Sequence, residues 1–146
     1  MVKILTGWLP VYHHLNKMMK TPLHCHLCNN DETIAHLFQC QARANWRNTF
    51  LMNLQQHLQK IQTPITLRDD LYMHLKNILD HDDEYEHFKH FTIFAGLVPI
   101  SWGEQYSQQS GKTQHQTHIW LTKLCKWLIQ QGHELWIQRN LSLIHI

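Results

Sequence analysis

At 146 residues, with 43% apolar and only 16% charged, the chain can bury one core, which excludes a disordered tail or a highly charged coiled coil. A formal net charge of +2 excludes a strong global field toward nucleic acid or anionic membrane, so any such contact must come from a local patch. No run approaches the roughly 20 continuous apolar residues of a spanning helix, and the start lacks a signal-peptide layout, so the expectation is an intracellular chain, in cytoplasm or nucleus, without membrane contact.

The first element, residues 3–20, spaces Ile4, Leu5, Trp8, Leu9, Val11, Tyr12, Leu15, Met18 and Met19 as short amphipathic helices interrupted at Pro10. From Thr21 to Asp31 the chain carries Pro22, a Cys-x-x-Cys step and Asn29-Asn30-Asp31, turn chemistry that predicts a knuckle. Thr33 is the expected N-cap of a first long helix, because residues 35–60 contain neither Gly nor Pro and Pro64 ends any continuation. The next helix is expected from Thr66 to about Asp80. Asp69 and Asp70 fall in its first turn, and Leu67, Leu71, Leu75, Ile78 and Leu79 form its apolar stripe. A further element spans about 83–97, with Phe88, Phe91, Ile93 and Phe94 as its apolar side and Gly96 and Pro99 as its close. Residues 101–111 read as a polar Ser/Gln/Gly loop. The last helix runs from Thr113 to Asn140 through Trp120, Leu124, Trp127, Leu128, Leu135 and Trp136, with Gly132 as a possible kink. The expected fold is mainly α, a small CCHC zinc knuckle leading into a bundle of about four to five helices.

The strongest chemical signal is Cys25-x-x-Cys28, seven residues, then His36-x-x-x-Cys40. Three thiolates and an imidazole suit a tetrahedral zinc ion and leave no open position for water, so the expected role is structural rather than hydrolytic. The turn directs the first two sulfurs inward, and His36 and Cys40, four apart, share a helical face. His24 and His26 flank Cys25 and are alternative imidazole donors. Cys125, remote in sequence among Trp120, Leu121, Leu124, Trp127 and Leu128, is expected to be a buried, inert thiol outside the site. His81, Glu84, His87 and His90 have helical spacing for a second metal, although a solvated polar face is the favoured reading.

With these residues placed, the N-terminal third resembles the zinc-binding region downstream of the polymerase in non-LTR retrotransposon reverse transcriptases. The residues that carry the likeness are Trp8-Leu9-Pro10, Cys25-His26-Leu27-Cys28, Glu32-Thr33-Ile34-Ala35-His36-Leu37-Phe38, Cys40 and Trp46, in that order. Members of that family commonly leave four residues between the histidine and the last cysteine, where this chain has three. A looser likeness, to a Trp-x-x-Arg-Asn ending, lies in Trp136, Arg139 and Asn140. The resemblance implies a detached C-terminal piece of a polyprotein whose polymerase domain lies upstream. Such a piece would help hold template RNA or target DNA. No aromatic precedes Asp69-Asp70 or Asp82-Asp83 as the family's magnesium-binding turn requires, so no catalytic residue is expected in this chain and it is not itself read as an enzyme.

For nucleic acid, Arg43 and Arg47 are expected to continue the helical line of His36 and Cys40. Lys17 and Lys20 would add phosphate contacts, and Trp46 would stack on an unpaired base. The competing expectation is a zinc-stapled scaffolding or protein-interaction module without nucleic-acid contact, in which Arg43 and Arg47 are a solvated face and Trp46 is core. The organisation expected is a zinc-binding unit over 1–50, a helical region over 51–140, and a non-native or disordered tail over 141–146.

Overall fold

The structure, a computed structural model, describes residues 24, 25, 27–30, 34–80 and 92–144. It is mainly α. Among the described residues five α-helices follow one another: α1 (Ile34–Gln39), α2 (Ala44–Lys60), α3 (Ile65–Asp80), α4 (Ile100–Ser110) and α5 (Gln114–Ile144). Short 3-10 turns at Gln41–Arg43 and Thr92–Ala95 precede α2 and α4. The expected N-terminal helices, and most of the element over 83–97, lie outside the described residues.

The helix boundaries have local causes. The Thr63 amide donates to the Leu58 carbonyl across a left-handed Gln62, a closure that satisfies the last carbonyls of α2 and turns the chain into α3. At the start of α3, the otherwise unpaired amide of Leu67 donates to the Gln109 side chain from the end of α4. Gly111, with φ of 68°, ends α4 by donating its amide to Ser107, a conformation that glycine adopts without steric cost. Thr113 then caps α5 reciprocally with Gln116. Each side-chain oxygen accepts the other residue's backbone amide.

The leucine stripe of α3 is buried as expected at Leu67, Leu71, Leu75 and Leu79, with Ile78 half-buried. Asp69 and Asp70, however, fall on the exposed side beyond the first turn, because α3 begins at Ile65. The polar loop expected over 101–111 is instead helix α4. Trp102 and Tyr106, one turn apart, bury their rings, and Tyr106 stacks on Trp120 of α5 at 4.5 Å and 8°. Burial of two aromatic side chains outweighs the weak helix propensity of Gly103 between them and of the flanking Ser101 and Ser107. Trp120 also donates its indole N–H to Thr63 at 2.8 Å, joining α5 to the α2–α3 corner.

The long helix α5 backs the 3-10 turn at Thr92–Ala95 and also meets α1, α2 and α4. Gly132 does not kink it. A side chain there would bring Cβ to 3.0 Å from Phe94 Cβ, so glycine allows the helix to close on Phe94. Phe94 is fully buried and stacks on Phe38 of α1 at 4.5 Å. The helix continues through Ile144. Near its end Arg139 is only 2% exposed. Its guanidinium lies over the Trp136 ring at 5.1 Å and donates to Asn140, so the Trp-x-x-Arg-Asn residues form one packed unit.

A half-buried imidazole sets a pH response in this core. His57 of α2 stacks on Trp127 at 5.0 Å, and its Nε2 is buried without a hydrogen-bond partner. Burial lowers its pKa below 6.5; contact with the Lys123 backbone opposes that shift, and the nearby Lys60 charge adds to it. The unfolded chain therefore binds a proton at this site before the folded one does. Its stabilising effect is complete above pH 6.5 and declines as pH falls below that value. Thermal melts between pH 7.5 and 5.5 should show a smaller acid-side loss in His57→Gln than in the parent chain, and equal losses would remove His57 as the cause.

Candidate metal centre

The knuckle is built by backbone turns. The Cys25 amide donates to the Asn30 carbonyl at 2.6 Å, and the Asn29 amide returns to Cys25 at 2.8 Å. Asn29 takes φ of 64°, a left-handed conformation that asparagine tolerates better than most residues. This reversal puts both sulfurs of the Cys-x-x-Cys step on one side. From the other side α1 carries His36, and its C-terminal end delivers Cys40.

The donor atoms of Cys25, Cys28, His36 and Cys40 all lie within 4.8 Å of one another. Cys28 Sγ and His36 Nε2 are 3.1 Å apart, so the ε nitrogen faces the sulfurs. The edge of a tetrahedron with metal–sulfur bonds of about 2.3 Å is about 3.8 Å, and the cluster approaches that scale. Cys25 and Cys40 are buried, at 1% and 0% exposure, while Cys28 and His36 are half-buried. All four cysteines are free thiols. These four residues can therefore hold a metal ion.

The electrostatics around the sulfurs are uneven. Burial works to raise the Cys25 thiol pKa, but contacts with the backbone at Leu27 and Cys28, together with the Arg43 charge, outweigh it and hold the thiol below its ordinary value. Burial pushes Cys40 up to about 11, with the neighbouring thiols Cys28 and Cys25 acting in the same direction against the Ala42 backbone. A divalent ion would reverse the situation at Cys40, since a coordinating thiol is deprotonated.

The long helix expected over 35–60 is broken here. Cys40 adopts φ −54° and ψ 128°, an extended conformation between α1 and the 3-10 turn. An unbroken helix would have carried His36, Cys40, Arg43 and Arg47 along one face; the break swings everything after Cys40 into a new direction. The single helical line expected through His36, Cys40, Arg43 and Arg47 is therefore interrupted. Arg43 is buried, at 7% exposure. Arg47 directs its guanidinium back to the carbonyls of Phe38 and Cys40, serving as a cap for the end of α1. Trp46 is 9% exposed, stacked on Phe50 at 5.3 Å and edge-on to Phe38, so its faces serve the core rather than a base. Beside the cluster a polar cleft is lined by Asn30, His36, Gln39, Gln41, Arg47, Leu79 and Asp80.

The remaining sequence candidates fall elsewhere. His24 is exposed and is not one of the four clustered donors. Lys17, Lys20, His26, His81, Asp82, Asp83, Glu84, His87 and His90 lie outside the described residues. Cys125 is half-buried on α5, away from the cluster, with its thiol pKa raised by burial. Sequence reasoning missed Arg43 as a buried neighbour of the sulfurs, because its placement depends on the break at Cys40. Among the described residues no helix is long and apolar enough to cross a membrane. Comparisons with protein-family models, with curated proteins and with solved structures found no match to this chain.

Proposed function

We propose that the cluster holds one structural zinc ion and that the chain is a zinc-stapled scaffolding module of a larger polyprotein of the non-LTR reverse-transcriptase type. The observation that carries this reading is the convergence of three sulfurs and one imidazole at the junction of the knuckle and α1. Three thiolates with one imidazole form a soft, closed donor set that favours zinc and offers no position for a reacting water. The ion ties a polar turn to a helix whose Leu37 and Phe38 are already sunk in the core. The polyprotein context rests on the resemblance of residues 3–50, with the polymerase domain as the upstream partner.

Assistance to template RNA or target DNA is the second reading, supported by the same resemblance and by Lys17 and Lys20. The surroundings of Arg43, Arg47 and Trp46 favour the scaffold, because two are buried and the third caps a helix. Titration of the full chain with labelled single-stranded RNA at several salt concentrations tests the choice. The scaffold predicts no affinity change for Arg47→Ala and no steep salt response. A linear fall of log affinity with log salt, with a slope smaller by about one in Arg47→Ala, would establish phosphate contact instead.

A further inference from the structure

We infer that Arg43 is the charge partner of the metal–thiolate centre, a positioning residue whose buried guanidinium neutralises the excess negative charge of the three sulfurs. This inference rests on the zinc reading above. Arg43 lies three residues beyond the ligand Cys40, at the end of the 3-10 turn, and its amide donates to the Cys40 carbonyl at 2.9 Å. The side chain is 7% exposed, and both terminal nitrogens, Nη1 and Nη2, are buried without a hydrogen-bond partner.

A guanidinium cannot shed its proton, so it must meet an anion or carry an uncompensated desolvation cost of several kcal/mol, on the order given for buried ions. No salt bridge to Arg43 occurs among the described residues. Its electrostatic influence is felt at Cys25, the most deeply buried sulfur of the knuckle pair. Three thiolates and one neutral imidazole around a divalent ion leave one net negative charge, and one arginine balances it. The unpaired nitrogens and the charge of the donor set thus account for each other. Arg43 is not a ligand; it acts through the sulfurs, as outer groups around a metal commonly do.

The test uses the full chain and cobalt(II), whose thiolate charge-transfer and tetrahedral d–d bands report binding directly. Arg43→Met keeps the volume and removes the charge; Arg43→Lys keeps the charge. Cobalt affinity should fall about 10- to 100-fold in Arg43→Met, the range for loss of an outer-shell partner, and stay within a few-fold in Arg43→Lys. Metal-free helical ellipticity should be retained in both, since methionine removes a buried unpaired charge. Should Arg43→Met lose its ellipticity, Arg43→Lys decides: the charge role requires near-parental affinity, and a loss as large as the Met range overturns it. Cys28→His adds a readout that packing alone would not move. It makes the centre neutral, so Arg43→Met in that background should cost no cobalt affinity, and an equal loss in both backgrounds overturns the inference. Absence of the cobalt bands in the parent chain would instead reject the metal reading itself, whereas full binding by Arg43→Met would reject only the role of Arg43.

Discussion

Removing the metal with a chelator, or replacing His36 with alanine, is expected to abolish amide protection over residues 24–30, weaken it over 34–43, and leave α3 to α5 protected. The gradient follows from what holds each segment. The knuckle closes two turns through backbone bonds at Cys25, and of its described residues only Cys25 is buried. Such a segment buries too little apolar surface to order itself. Structural zinc contributes about 10–16 kcal/mol of apparent binding free energy in small zinc modules, far more than those turns supply. Helix α1 differs because Leu37 and Phe38 anchor it in the core, and Gln39 donates to the Ile78 carbonyl of α3 at 3.0 Å. The leucine stripe of α3 and the aromatic contacts between α4 and α5 involve no ligand. Hydrogen exchange with and without chelator measures this directly. Unchanged protection over 24–30 would show that metal does not organise the knuckle, and collapse of α3 to α5 would show that the helical body depends on it.

The second large effect is expected at Phe94. Phe94→Ala should destabilise the chain by about 3–5 kcal/mol, the range for deleting a buried aromatic ring. Phe94 is fully buried where three helices meet: it stacks on Phe38 at 4.5 Å and lies 5.5 Å from Phe50 and 6.2 Å from Trp46. The close approach of Gly132 on α5 leaves no side chain to fill the cavity, so the loss belongs at the upper end. Because Phe38 lies between the ligands His36 and Cys40, the substitution should also weaken metal binding without touching a donor atom. Urea denaturation measures the first effect and cobalt titration the second. Ile137→Ala, at an exposed position, provides the reference and should stay within about 0.5 kcal/mol. A Phe94→Ala loss no larger than that reference would remove Phe94 as the link between centre and core.

Several features were determined by the sequence alone because their causes are local. The Cys25, Cys28, His36 and Cys40 spacing selects the donor set, since a turn and one helical turn suffice to present four side chains. The stripe Leu67, Leu71, Leu75 and Leu79 states its own period, while Pro64 and Thr113 mark helix ends through backbone chemistry confined to a few residues. Tertiary structure decided what those rules leave open. Residues 101–110 carry the Ser, Gln and Gly of a loop, yet form α4 because Tyr106 finds Trp120, a partner distant in sequence. Residues 35–60 contain no helix breaker, yet the backbone extends at Cys40 to bring its sulfur to the knuckle. That one non-local demand turns Trp46 into the aromatic core and buries Arg43. Periodicity assigns a face only while the helix continues, and where it stops is set by the cysteines it must meet.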